Sequence, residues 1–201
     1  MPLTTAGKNN LMSVASLTHA SAFTDLGATE VAGGSYARQG ALSWAAAAAG
    51  IRAISAQVSI PIPAGTTVVT AGVHDALSAG TSQGFFQIGS TVAGVGTVTA
   101  STDVVASFAH GLTTDDRVFF TAPVGSALPA GLSATTLYFV RATGLTVDAF
   151  TVSTTSGGAS VAITGDGEVA FFKTVPQLFS IAGNLILPAT TGLVIDGTGL
   201  G

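Results

Sequence analysis

Residues 136–155 read TLYFVRATGLTVDAFTVSTT. Two runs rich in aromatic and β-branched residues, 136–143 and 149–155, flank the turn segment TGLTVD. Each run is too short for a stable helix, and Tyr, Phe, Val and Thr suit a pleated surface. The stretch predicts two strands joined by a short connection. The same texture extends outward through DVVASF (103–108), RVFFTA (117–122), SVAITG (160–165) and EVAFFK (168–173). Between them lie HGLTTDD, VGSALPAGLSA, TSGGA and GDG, segments of turn chemistry. Many short strands punctuated in this way indicate an all-β sandwich or barrel.

Further toward the N-terminus, residues 36–44, 51–62, 66–76 and 84–90 also have strand character. Pro61 and Pro63 cannot donate to a central ladder, so IPIPAGTTV reads as a strand end followed by a turn. The run WAAAAAG (44–50) invites a helix, but five alanines barely exceed one turn, and we read it as a connection between strands. One short N-terminal helix is predicted over 6–17, where Leu11, Val14 or Ala15, and Leu17 recur at helical spacing after the N-cap Thr5. The closing QLFSIAGNLILPATTGLVIDGTGLG predicts two more strands, broken at Gly183-Asn184 and at Pro188.

Charge is scarce. Charged residues make up 8% of the 201, against about 25% in an ordinary soluble domain. Thr, Ser and 26 glycines carry the polarity instead. Free monomers with so few charges have little to hold them apart, which points to surfaces covered by other subunits. The net charge is −4, and the six cations Lys8, Arg38, Arg52, Arg117, Arg141 and Lys173 are scattered. With no basic stripe to neutralise phosphates, a nucleic-acid partner is not expected. The chain has no cysteine, hence no disulfide or thiolate chemistry. The opening MPLTTAGKNNLMSV lacks the basic and apolar regions of a secretory signal. No apolar run reaches the ~18 residues of a membrane span, so membrane insertion is not expected.

The densest chemistry is FAHGLTTDDRVFF, residues 108–120. His110, Asp115 and Asp116 there could form a metal or acid–base site. A metal site needs three or four converging ligands, and His19 and His74 lie in another region of the chain. Asp in such a place more often starts a turn, so a hairpin tip is the expected reading. VHDA (73–76) sets His74 and Asp75 on opposite faces of a strand, as edge or interface groups. GDGE (165–168) lacks the ligand series of a calcium loop, GTGLG (197–201) precedes no helix, and no G-x-S-x-G elbow occurs. We therefore assign no catalytic, cofactor-binding or metal residues and expect no cofactor. Phe85-Phe86, Phe119-Phe120, Tyr138-Phe139 and Phe171-Phe172 send one ring to each face of a strand. The outward rings are candidates for subunit contact.

Two stretches resemble known families. LTTAGKNNLM (3–12), ATEVAGGSYARQGALSWAAAAAG (28–50) and IPAGTTVVTAGVHDALSAGT (62–81) follow one another as in small structural proteins of tailed bacteriophages, of the minor-tail or tail-fibre kind. Relatives of that kind carry an LHTADPG-like segment where this chain has THASAFTDLGATEV, 18–31. Residues 100–173 resemble a small β module repeated in phage tail and fibre proteins, related to a barrel module inserted in ubiquitin-activating enzymes. H-G-L-x-x-x-D-x-V begins at His110, L-P-A-G-L at Leu128, T-x-Y-x-V at Thr136 and F-x-V-S-x-T at Phe150.

Together these readings imply a jelly-roll-like β-sandwich with the short N-terminal helix, made of residues 1–98 and 175–201, and an inserted small β-barrel-like module at 99–174. The resemblance implies a non-enzymatic virion structural protein, tail-associated or a capsid decoration, assembled in the bacterial cytoplasm. Its expected partners are other copies of itself and other virion proteins, with a host surface glycan as the alternative.

Overall fold

The computed structural model describes residues 16–49, 51–123 and 125–196. The helix expected over 6–17 lies outside them except for Ser16 and Leu17, which are not helical. The described residues form an all-β structure of two compact units. The first takes the chain up to Ile88 and again from Pro176, and the second runs Gly89–Val175.

The first unit opens with β1 (His19–Phe23), β2 (Ile51–Ala53), β3 (Val58–Ile62), β4 (Thr66–Val68), β5 (Thr70–His74) and β6 (Ser82–Gln87). The second holds β7 (Ala93–Thr99), β8 (Val104–Ala106), β9 (Arg117–Thr121), β10 (Tyr138–Val140), β11 (Ala149–Phe150), β12 (Val152–Ser153) and β13 (Gly167–Thr174). The chain then returns to the first unit with β14 (Gln177–Phe179), β15 (Gly183–Leu187) and β16 (Val194–Asp196).

In the first unit β5 is central, antiparallel to β1 on one side and to β6 on the other, and all five of its residues are buried. It is built of small residues for a reason. The Phe23 ring and the Gly84 carbonyl occupy the space that a Cβ on Gly72 would need. The remaining strands pair as β2 with β16, β3 with β15 and β4 with β14. These three ladders are one ribbon. Ile62 faces Gly183 and Thr66 faces Phe179, so the register passes unchanged from one ladder to the next. Ala53 faces Val194 and Val58 faces Leu187, so two additional residues bulge on the later strand between those pairs. Period-2 alternation sends Ile60, Ile62, Val68, Phe179, Leu185 and Leu187 into the core, where they meet Ala22, Ile54, Val73 and Leu193. The outward positions are Ser59, Thr67, Leu178, Asn184 and Ile186.

The second unit is one seven-stranded sheet in the order β11-β8-β7-β13-β9-β10-β12. Its two edges are a single bent segment. β11 pairs with β8, β12 pairs with β10, and only Thr151 separates them. The sheet is thereby nearly closed, like a small barrel, which leaves few strand edges bare. Phe120, Phe150 and Phe171 fill it, all fully buried. Phe150 packs edge-on to Phe171 at 5.2 Å and parallel to Phe120 at 6.5 Å between ring centroids.

Several sequence expectations are corrected. Residues 36–44 form no strand; their backbone meets the sheets at the isolated bridges Gln39–Ala20 and Trp44–Ile54, and Tyr36, Leu42 and Trp44 pack against the core. Residues 160–165 form none either, because their amides go to three separate segments: Val161 to Val152 O, Ile163 to Asp103 Oδ1 and Thr164 to Ala130 O. The closing stretch gives three strands, not two. Gly183-Asn184 opens β15 instead of breaking the chain, and Pro188 does follow its end. β1 and the Gly-rich β7 have no counterpart among the expected strands.

Truncating Phe150 to Ala is expected to cost the second unit about 3–5 kcal/mol, the range for losing a fully buried aromatic ring. Amide exchange at Val118 and Val169 should accelerate while that of Ile60 and Val73 holds. An equal loss in both groups would contradict two separately packed cores.

Candidate functional site

The residues singled out in FAHGLTTDDRVFF come together in the second unit, and each is engaged in holding the loop. His110 is buried. Its Nδ1 accepts the Leu112 N–H at 3.0 Å, and its Nε2 faces the carbonyls of Thr146 at 2.9 Å and Ala149 at 3.3 Å. Donors on one side and acceptors on the other select the neutral Nε2–H tautomer. The ring also sits edge-on to Phe150 at 5.0 Å. Asp116 Oδ2 accepts the Thr113 N–H at 2.7 Å and its Oδ1 meets Lys173 Nζ at 2.8 Å. Asp115, at a φ of 65°, accepts from Ser156 Oγ. The loop is then clipped to β10 by Asp115 N to Val140 O and Val140 N to Asp116 O.

The outward rings find cover inside the unit. Phe172 faces Phe119 across β13 and β9, and the two rings stack at 5.2 Å and 18°. The Arg117 guanidinium lies over Phe139, 5.3 Å from the ring centre. Subunit contact is not needed to shelter these pairs. The most exposed large apolar side chains of the second unit are others: Val95, Phe108 and Val147, at 72%, 89% and 71% exposure. They form a row. Thr97 faces Ala106 and Ala106 faces Ala149; two residues farther along the same register, Val95 lies in β7, Phe108 just beyond the end of β8 and Val147 just before β11. Asp148 pins the middle of the row, its carbonyl accepting Ser107 N–H and its Oδ1 accepting Ala109 N–H, each at 2.8 Å. Ser107 Oγ donates to Val95 O at 2.8 Å. Ala109 holds a φ of 47°, a strained value for a residue with a Cβ. Phe108 is thus held out in solvent by a rigid frame.

A polar cluster that sequence reading missed lies in the first unit. Glu30 takes Arg38 Nε at 2.8 Å on Oε1 and Arg38 Nη2 at 2.6 Å on Oε2, a two-pronged bridge. Tyr36 OH donates to Glu30 Oε1 at 2.6 Å and accepts the Ala22 N–H at 3.2 Å. Arg38 Nη1 reaches Ala76 O at 2.9 Å. His74, expected at an edge, is instead 3% exposed on the central strand, with Nε2 3.7 Å from Glu30 Oε2 and its ring stacked on Phe23. Asp75 turns away and accepts the Thr81 N–H at 2.7 Å. The cluster staples the irregular stretch 24–49 onto β1 and β5. The spacing Glu30-x5-Tyr36-x-Arg38 has no regular period, so no pattern revealed it.

Burial favours the neutral form of Glu30, but the bonds from Arg38 and Tyr36 and the Arg38 charge outweigh it and hold the carboxyl below its ordinary 4.5. Burial, and then the Arg38 charge, push His74 below its ordinary 6.5, against the pull of Glu30 and Asp75. Burial and the bond to Glu30 raise the Tyr36 hydroxyl. The hydrogen bond to Glu30 raises Arg38 further. This is the chemistry of a staple with fixed charges.

Among the described residues no group of three or more His, Asp or Glu side chains could hold a metal ion. Asp166 of GDGE accepts the Ala100 N–H at 2.8 Å, as a turn residue does. GTGLG lies outside the described residues. No described helix is long and apolar enough to cross a membrane. Compared with protein-family models, with curated proteins and with solved structures, the chain matches none.

Both shifts in the staple act in one direction with pH. The unfolded chain binds a proton at His74 below about pH 6.5, and at Glu30 below about 4.5, where the folded chain still resists each. Stability of the first unit should therefore be full above pH 6.5, decline below it, and fall more steeply below 4.5 as the folded Glu30 finally protonates. Urea titrations from pH 3 to 8 should show this slope, and Glu30→Gln should remove the part below pH 4.5 while the His74 part, freed of the pull of Glu30, remains. At pH 7, Arg38→Met should cost about 2–4 kcal/mol, because it strands a half-buried carboxylate.

Proposed function

We propose that the protein is a non-enzymatic structural subunit of a tailed-phage virion, an exterior β-rich component that works through contacts with its own copies and with other virion proteins. The observation that carries this reading is the group Val95, Phe108 and Val147, three exposed apolar side chains, one in β7 and two in the loops just beyond β8 and just before β11, where Asp148 and Ser107 bond the backbone. A pre-ordered aromatic anchor flanked by aliphatic groups is the kind of feature that dominates protein interfaces, since it loses little freedom on docking. The scarcity of charge supports the same reading. So does the likeness of residues 1–90 and 100–173 to phage structural proteins. We take the first unit as a jelly-roll-like sandwich and the second as an inserted barrel module. In such a subunit the second unit would present the row while the first supplied the body.

Antibody against the chain should decorate purified particles of the phage that encodes it, and peptides of the chain should be recovered from those particles. Phe108→Ser should fold normally and reduce incorporation into particles several-fold. Absence of the chain from particles would end the virion reading. Saturable binding to host glycans, abolished by Phe108→Ser with incorporation unchanged, would transfer the row to host recognition.

A further inference from the structure

We propose that the outer edge of β15, Gly183–Leu187, pairs antiparallel with β15 of a second copy and joins two first units through one continuous sheet. The inference rests on the reading above only in taking the chain to be a self-associating subunit.

In the second unit the bent β11–β12 segment meets both flanking strands and nearly closes the sheet. The first unit does not close its ribbon. Among the described residues β15 and β3 pair only with each other, so each has an outer edge with no described strand beside it. An open edge is a row of main-chain donors and acceptors, and what completes it is another strand.

The two edges differ in chemistry. β3 contains Pro61, with Pro63 immediately beyond it. Pro61 has no N–H, and it faces Asn184. The ladder is complete only if this pair is the kind that exchanges no hydrogen bonds, leaving Gly183, Leu185 and Leu187 to bond with Ile62, Ile60 and Val58. The outer edge of β3 then carries the proline and is blocked. On β15 the same alternation turns the N–H and C=O groups of Asn184 and Ile186 outward. Both are free to pair.

That edge is complementary to itself. Placed about a two-fold axis through Leu185, Asn184 meets Ile186 of the second copy and Ile186 meets its Asn184, forming two hydrogen-bonded pairs. Pro188 follows directly and stops the ladder from spreading, which favours a closed pair over a filament. Nothing on the strand resists the approach. The sequence GNLIL holds no charge, and the nearest ionisable residues in the chain are Lys173 and Asp196. Natural edges are commonly guarded by an inward charge, a lysine or a proline, and the β15 edge has none within the strand. Ile186 at 44% exposure and Ile181 at 78%, at the bend just before β15, gain apolar cover from the pairing.

The test is sedimentation of the full chain over a range of concentrations, together with amide exchange at Asn184 and Ile186. The wild type should associate reversibly into pairs, and both amides should be protected only when it is associated. Ile186→Pro removes an outward N–H without taking a bond from the ladder to β3, and Ile186→Lys places charge at the edge. Each should weaken association about tenfold or more while the Ile60 and Val73 amides keep their protection. If Ile186→Pro fails to fold, Ile186→Lys and the wild-type amides decide. A wild type that stays monomeric at the highest concentration reached would overturn the proposal. So would variants that associate like the wild type, or Asn184 and Ile186 amides that exchange alike when dilute and when associated. Recovery of the chain from particles with any of those results would leave the virion reading standing and this one refuted. Pairing through β15 in a chain absent from particles would do the reverse.

Discussion

The first unit depends on the pairing of residues 51–68 with residues 177–196, two stretches held apart in the chain by an entire folded unit. Without that ribbon the sheet of β1, β5 and β6 has no opposing layer, and Ile60, Ile62, Leu185 and Leu187 have nothing to bury against. Closing a long flexible loop costs entropy that grows with the logarithm of its length. Here the intervening chain is folded and its ends lie together: a Cβ on Gly89 would come within 2.9 Å of Val175. A folded insert with adjacent termini behaves as a short connection, which is why such an insertion is compatible with a core built from both flanks.

Charge is used with corresponding economy. Of the ten acidic residues, Asp25, Glu30, Asp75, Asp103, Asp115, Asp116, Asp148 and Asp166 each accept a hydrogen bond from another part of the chain. Six of these, Asp25, Asp75, Asp103, Asp116, Asp148 and Asp166, take backbone N–H groups that no strand partner satisfies. The carboxylates hold loops in shape where Gly, Ser and Thr alone would leave them loose. Even the exposed ones, Asp75, Asp115, Asp148 and Asp166, are tied to the chain by these bonds. A low count of charges and a well-ordered set of loops are therefore the same fact seen from two sides.

This division of labour explains what could be read in the sequence. The strands of the second unit are legible at RVFF, EVAFF and AFTV because aromatic and β-branched residues fall inside them and Gly or Asp lies between. The turn role of His110, Asp115 and Asp116 is legible for the same reason, since those residues satisfy local backbone groups, but the loop is not the hairpin tip expected: β8 and β9, which it joins, are not neighbours in the sheet. β7 is hidden because AGVGTVT spends its residues on close approach: Gly94 leaves room for the Phe171 ring, and Gly96 lies against Ala106 O and Val105. β1 is hidden because its HASAF is short, built mostly of small residues and without a β-branched one, and is fixed as a strand by pairing with β5. The Glu30–Arg38–Tyr36–His74 staple could not be foreseen at all. Its members meet only after β1 and β5 have paired and the stretch 24–49 has folded over them.

The two units end their sheets by different physical means. In the second, Thr151 lets one short segment serve two neighbours, and its hydroxyl donates to Thr143 O at 2.6 Å while accepting from Arg141 Nη1 at 3.3 Å. The backbone that would have formed an edge is absorbed into a near-closed ring. In the first, of the two borders of the β3–β15 ladder one is interrupted by proline and the other is not. An unguarded, uncharged edge on an isolated protein invites indiscriminate pairing, and evolution ordinarily removes it at the cost of a single lysine. Its retention in a chain that elsewhere closes its sheet so economically argues that the edge is kept for use. Pro188, placed where a longer ladder would have to continue, limits that use to a partner of matching length.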